Sequence, residues 1–176
     1  EGYWVGISGR ARVLVYNPER IASLDLELPA SILDLTDPAY AGQVGWAPAN
    51  ASFQSNITAL RVLLGDDVAA DWLAGMVANG AVSFGSSNTN LNMAVANGEI
   101  AMGITNHYYM FRILTENPNA PIAQHFFPAG DPGSLLNIAG AGVLTTSDQP
   151  GLAQRLLLYL LGTEAQQYFA DSTYEY

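Results

Sequence analysis

Ile100-Ala101-Met102-Gly103-Ile104-Thr105-Asn106-His107-Tyr108-Tyr109-Met110 is the stretch whose reading decides the fold. Its first half is apolar and carries a glycine, the composition of a buried strand. Two adjacent phenols follow, and a helix is predicted near 109–116. A strand that runs into paired phenols can aim hard oxygen donors at one point. Hard anionic oxygens suit a hard, highly charged cation better than they suit zinc or copper. Plain strand or interface packing is the other reading, because aromatic residues are common in strands and at sheet ends.

Working outward, Val13-Leu14-Val15-Tyr16 reads as a strand closed by the turn signal Asn17-Pro18. Val44-Gly45-Trp46-Ala47 reads as a second strand, ending at Pro48. Residues 52–64 carry apolar Phe53, Ile57, Leu60, Leu63 and Leu64 at helical spacing, with Gly65 as the stop. A helix is predicted over 68–77 with Ala69, Trp72, Leu73 and Met76 inward and Gly80 as its cap. Another is predicted over 88–96. Residues 138–144 read as a Gly/Ala-rich buried strand, and helices are predicted over 150–161 and from Thr163. Strands alternating with helices give an α/β class with a largely parallel sheet.

Composition narrows the function classes. The chain has 176 residues, 49% of them hydrophobic, enough for one good core or one domain plus a piece of another. Net charge is −10, with six arginines and no lysine, a surface that repels phosphate backbones and argues against nucleic acid. Zero Cys excludes disulfides and thiolate metal sites. The apolar run Leu156–Leu161 is far too short to span a bilayer. The opening Glu1-Gly2-Tyr3-Trp4 reads as mid-domain rather than as a signal peptide. No Gly-x-Ser-x-Gly elbow, phosphate-binding Gly-Lys loop or His–carboxylate metal spacing occurs, so an enzyme is not expected.

Several further stretches recur in one order: Trp4-Val5-Gly6-Ile7-Ser8-Gly9-Arg10-Ala11-Arg12-Val13, Asp34-Leu35-Thr36-Asp37-Pro38, Val44-Gly45-Trp46-Ala47-Pro48, and Ala94-Val95-Ala96-Asn97-Gly98-Glu99-Ile100. They continue with Asn106-His107-Tyr108-Tyr109, His125-Phe126-Phe127-Pro128, Gly130-Asp131-Pro132-Gly133, Ala139-Gly140-Ala141-Gly142-Val143-Leu144, and Glu164-Ala165-Gln166 with Tyr168-Phe169. On these residues the chain resembles the bacterial ferric-iron-binding proteins, the periplasmic or lipoprotein receptors of iron ABC transporters.

The resemblance implies a periplasmic-binding-protein type II-like lobe, its mostly parallel sheet flanked by helices, with the first lobe largely missing. Residues 1–14 are then an interlobe crossing segment and a remnant of the first lobe. Residues 15–134 are the second lobe, and 135–176 a return crossing with incomplete first-lobe helices. Standing alone, 135–176 would expose apolar faces and should repack, swap or dimerise.

By the same resemblance, Tyr108 and Tyr109 match the family's adjacent iron-binding tyrosines, and Fe(3+) is the ligand. A trivalent ion stabilises phenolate enough to displace a proton that a free tyrosine holds to about pH 10. Phosphate or carbonate would be the synergistic anion. Asn50, Ala51 and Ser52, entering a helix, would hold it through amides and the Ser hydroxyl; simple capping is the alternative. Asn88 and Asn106 match two further anion-contacting positions. Arg10 or Arg12 pairs with the anion or with phenolate charge, or else forms a salt bridge on the crossing segment. His107, if on a strand, points away from Tyr108 and serves packing or hydrogen bonding. His125 is read as structural and Asp131 as a turn residue.

The implied function is a periplasmic or cell-surface receptor delivering ferric ion to an ABC permease, peripheral to the membrane, with a lipid anchor as an option in a full-length form. The competing readings are a solute-binding protein for a different small anion or organic ligand, and a lobe fragment that acts by forming a dimer or swapped oligomer.

Overall fold

The continuous apolar run Val13-Leu14-Val15, buried on both faces, belongs to one long strand, β1 (Trp4–Tyr16). Asn17 then turns the chain and caps α1 (Pro18–Ser23), its side-chain oxygen accepting from the Arg20 amide at 2.9 Å. Two short 3-10 turns, Ile32–Thr36 and Pro38–Tyr40, are capped by Ser31 and Asp37. The chain continues through β2 (Val44–Trp46), α2 (Ala51–Leu64), α3 (Asp66–Ala78), β3 (Val82–Ser83), α4 (Asn88–Ala96), β4 (Met102–Asn106), α5 (Tyr108–Glu116) and β5 (Ala123–His125). It ends with β6 (Leu136–Gly142), α6 (Pro150–Leu160) and α7 (Thr163–Tyr168). This computed structural model describes residues 4–175; Glu1–Tyr3 and Tyr176, used above in reading the chain ends, lie outside them.

Two compact units result, Ala11–Leu135 and the pair of segments Glu1–Arg10 and Leu136–Tyr176. In the larger unit the strand order is β3-β2-β4-β1-β5. β2 runs parallel to β3 and β4, whereas β1 runs antiparallel to both β4 and β5. The sheet is therefore mixed rather than mostly parallel. The reason is β1, which inserts antiparallel between β4 and β5, two strands that run parallel to each other and are joined through α5, the helical crossover that parallel strands require.

Apolar side chains bury both faces of this sheet. On one face Trp46, Phe53, Leu60, Trp72, Met76, Met102 and Phe127 are almost fully buried against α2 and α3. The Trp72 indole donates to the Ile32 carbonyl at 2.9 Å, which satisfies its one polar atom. On the other face Val15, Leu91, Ala94, Val95, Ile100 and Ile122 pack beneath α4 and α5. Glycine sets how closely α4 approaches. Gly45 and Gly103 are register partners on β2 and β4. A Cβ at Gly103 would lie 2.5 Å from Leu91 Cδ2, and one at Gly45 would lie 2.6 Å from Ile100 Cδ1. The apolar, glycine-bearing reading of 100–104 thus has a packing cause.

Helix boundaries follow the predicted periodicity within a residue or two, and Gly65, at φ +96°, ends α2 and opens α3. Gly80 adopts φ +71° just past Asn79, the capping residue of α3.

In the smaller unit β6 pairs with β1. Gln166 Nε2 donates to the carbonyls of Ile7 and Leu160 at 3.0 and 2.8 Å, and the Ser8 hydroxyl donates to Glu175 at 2.7 Å. β6 was expected to be buried, yet Leu136 and Ile138 are exposed. Its half-covered alternate residues are Asn137, Ala139 and Ala141, while Gly140 and Gly142 share the exposed positions with Leu136 and Ile138. Leu144, Leu152, Leu156, Leu158 and Tyr159 are exposed as well. Among the described residues no helix is long and apolar enough to cross a membrane.

Gly103→Ala is expected to lower the unfolding free energy by about 1–3 kcal/mol by overpacking against Leu91. Urea denaturation at unchanged slope reads this out; an unshifted midpoint would mean that Leu91 moves aside at no cost.

Candidate metal and anion site

The antiparallel register of β1 and β4 places Arg12 directly opposite Asn106. Both are buried. Arg12 Nη1 donates to Asn106 Oδ1 at 2.9 Å. The other end of that carboxamide donates to the Ser52 hydroxyl and to the Tyr108 hydroxyl, each at 3.2 Å. One side chain therefore links β1, the N-terminus of α2 and the first residue of α5.

β4 stops at Asn106, and His107 is already helical at φ −56°, ψ −37°. The phenols thus stand on the first turn of α5 rather than at a strand end. Their rings lie 4.5 Å apart, tilted by 31°. Tyr108 is buried and Tyr109 half-buried. The helical backbone also changes the expected direction of His107. Its ring meets the Tyr108 ring edge-on at 5.8 Å instead of pointing away. It is fully buried, and its Nδ1 accepts from the Ala11 amide at 3.1 Å while its own amide donates to the Ala11 carbonyl at 3.0 Å. Gln124 Nε2 donates to the His107 carbonyl. These bonds pin the entry to α5 against β1 and β5.

Asn50 caps α2, its Oδ1 accepting from the Ser52 amide at 3.0 Å and its Nδ2 donating to the Ser86 carbonyl at 3.0 Å. Ala51 is the first helical residue and is exposed. Asn88, first residue of α4, is buried with neither amide atom at hydrogen-bond geometry to any partner, although it stands near enough to the Tyr109 hydroxyl to favour its anion. Asn92, one turn later, donates to Thr105 Oγ1 at 2.9 Å and leaves its oxygen unpartnered. Asn50, Ser52, Asn88, Asn106, Tyr108 and Tyr109 all belong to the larger unit; Arg10 belongs to the smaller one.

The electrostatics centre on Arg12. Burial pulls its guanidinium down to about 10, while the charge of Tyr108 and Tyr109 works to raise it. It stays cationic at neutral pH. Among the described residues two of its nitrogens, Nε and Nη2, are buried without a partner, and the third bonds a neutral amide. A buried cation lacking an anionic partner is costly, and it favours negative charge beside it. Burial also raises the Tyr109 phenol above its ordinary value, and its hydrogen bond and charge coupling with Tyr108 raise it further. The Asn88 amide and the charge of Arg112 act the other way. Among the described residues no group of three or more His, Cys, Asp or Glu side chains could hold a metal.

Elsewhere, Asp131 accepts from the Gly133 amide at 2.7 Å and from the Ile32 amide at 3.3 Å, a turn role. His125 packs edge-on against Phe127. Asp66 pairs with Arg61 at 2.7 Å on an exposed helix end. Sequence reasoning left Arg112 and Asn92 unmarked. Arg112 follows Tyr108 by four residues, a helical spacing that would have flagged it; Asn92 likewise follows Asn88 by four.

All 176 residues match the family described as bacterial extracellular solute-binding protein. The chain is 34% identical over 179 residues to an Fe(3+)-binding periplasmic protein of Serratia marcescens, covering 99% of this chain and 52% of that protein. It is 31% identical over 175 residues to a major ferric iron-binding protein of Neisseria meningitidis, covering 98% and 52%. The crystal structure of iron-bound HitA from Pseudomonas aeruginosa superposes with a TM-score of 0.89 at 36% identity, covering 99% of this chain and 56% of that one. The chain thus spans about half the length of the curated relatives it matches.

Arg12→Met is expected to raise the unfolding free energy of the ligand-free protein by about 1–3 kcal/mol at neutral pH, because it removes an unpaired buried charge. A urea midpoint that falls instead would mean that the guanidinium is already compensated.

Proposed function

Because this chain belongs to the bacterial extracellular solute-binding protein family, we propose that it forms the tyrosine-bearing lobe of an extracytoplasmic ferric-ion receptor. The observation that carries this reading is the stacked pair Tyr108 and Tyr109 on one helical turn beside the buried, unpaired Arg12 guanidinium. Two phenolate oxygens are hard donors for a hard trivalent cation. Relatives of about twice the length are named as ferric iron-binding proteins, which supports the choice of ion.

Ferric ion is cargo here; no bond is made or broken. Binding requires both phenols to lose their protons. Two phenolates leave an octahedral ion unfilled. A small anion such as phosphate or carbonate completes part of the shell, seated near the Ser52 hydroxyl and the Asn88 and Asn106 amides. The Asn50-Ala51-Ser52 helix start and Arg12 favour its negative charge. Arg10 is a further candidate contact. The remaining ligands come from a facing lobe, and closure of the two lobes traps the ion. Release to an ABC permease at the membrane follows reopening.

The unpaired Arg12 nitrogens favour a second reading, a receptor for a small anion or organic acid that needs no metal. It predicts anion binding in the absence of iron, unaffected by loss of the phenols.

Titration with ferric chelate in the presence of phosphate or carbonate is expected to produce a visible phenolate-to-iron charge-transfer band. Tyr108→Phe and Tyr109→Phe should each abolish it or reduce it severely. A band that survives in both variants would sink the assignment. No band in the folded parent chain, with phosphate uptake intact in the double variant, would favour the anion receptor.

The acid response has a definite sign. Burial and the neighbouring Tyr108 hydroxyl make Tyr109 resist ionisation more than a free tyrosine does. Ferric affinity should therefore weaken as pH falls, with release of about two protons per ion bound. Affinity measured by chelate competition that stays flat across acid pH would contradict phenolate ligation.

A further inference from the structure

Arg112 lies one helical turn beyond the tyrosine pair, four residues after Tyr108 and three after Tyr109, so α5 puts all three on one face. Its guanidinium carbon stands 4.9 Å from the Tyr108 ring centroid and 5.5 Å from that of Tyr109. The side chain is exposed, and among the described residues it enters no ion pair. In a chain of net charge −10, an exposed arginine has water and carboxylates within easy reach. Glu116, one turn further along α5, lines the same cleft of about 170 Å³ with Arg112 and Tyr109. The guanidinium nevertheless lies over both rings. A planar, delocalised cation suits ring faces where a compact ammonium does not. A cation that touches two rings at once constrains their mutual tilt, and with it the directions of their two hydroxyls.

We infer that Arg112 is a positioning residue for the Tyr108–Tyr109 pair, clamping the two rings so that their oxygens converge. For the ion it serves, the inference rests on the ferric reading above; the clamp itself stands on the geometry of the iron-free chain.

Arg112→Gln and Arg112→Lys test it, both at an exposed position where substitution leaves the fold intact. In the iron-free chain, rings stacked at 4.5 Å shift each other's ring-proton NMR signals. Arg112→Gln is expected to move the Tyr108 and Tyr109 signals toward unstacked positions, with Arg112→Lys intermediate. With ferric ion bound, Arg112→Gln should weaken affinity by about two- to fivefold, the scale of a surface cation–ring contact. It should also move the charge-transfer maximum to longer wavelength, since removing the cation makes the phenolates better donors. Arg112→Lys, which keeps the charge, should restore the band position.

Ring signals unchanged in Arg112→Gln overturn the inference, whatever happens with iron. Shifted signals with affinity and band unaltered overturn it too, because the clamp would then serve no ligand. If the parent chain binds no ferric ion, the ferric reading fails separately, and the ring signals alone decide the clamp.

Discussion

A carboxamide accepts with one end and donates with the other, and Asn106 uses both ends where three elements meet. Its oxygen accepts a hydrogen bond from Arg12 on β1, and its nitrogen donates to Ser52 on α2 and Tyr108 on α5. Apart from glutamine, no other uncharged side chain offers an acceptor oxygen and a two-hydrogen donor in one plane. Shortening it would leave a buried guanidinium with no partner, a hydroxyl without its donor, and a phenol free to turn. The arrangement also fixes a sign: a cation is held inside the unit by a neutral group, so the local field invites negative charge.

That contact exists because of strand direction. Antiparallel entry of β1 beside β4 sets Arg12 opposite Asn106 and lets the Ala11 backbone bond both the amide and the ring of His107. The glycine pair Gly45 and Gly103 lets Leu91 settle onto the sheet and brings the start of α4, with Asn88, close to the phenols. The two devices are independent. One positions the charge and the other positions the amide.

The helices were legible in the sequence because their apolar periodicity is local, and α4 begins and ends at the predicted residues. The tyrosine pair was legible because adjacency needs no tertiary information. Strand direction was not: period-two alternation looks the same for parallel and antiparallel neighbours, so the mixed sheet escaped. The direction of His107 was misread because β4 ends one residue earlier than that argument needed. Arg12 was noted beside Arg10, but nothing in the local pattern says which arginine is buried. Only the register with β4 separates them. The exposure of β6 was missed because small residues resemble a tightly packed strand whether or not anything covers them.

Gly65 touches none of the site residues, yet it governs one of them by leverage. It adopts φ +96° between α2 and α3, a conformation closed to other residues without strain, and nothing lies within 4 Å of where its Cβ would be. From that pivot α2 runs 14 residues to the end that carries Ser52, an arm of about 20 Å at 1.5 Å per residue. A rotation of about three degrees at the pivot would swing the far end by about 1 Å, enough to break a hydrogen bond. A side chain placed in empty space at one end of a helix would thus be felt at the other, as a displacement of the Ser52 hydroxyl.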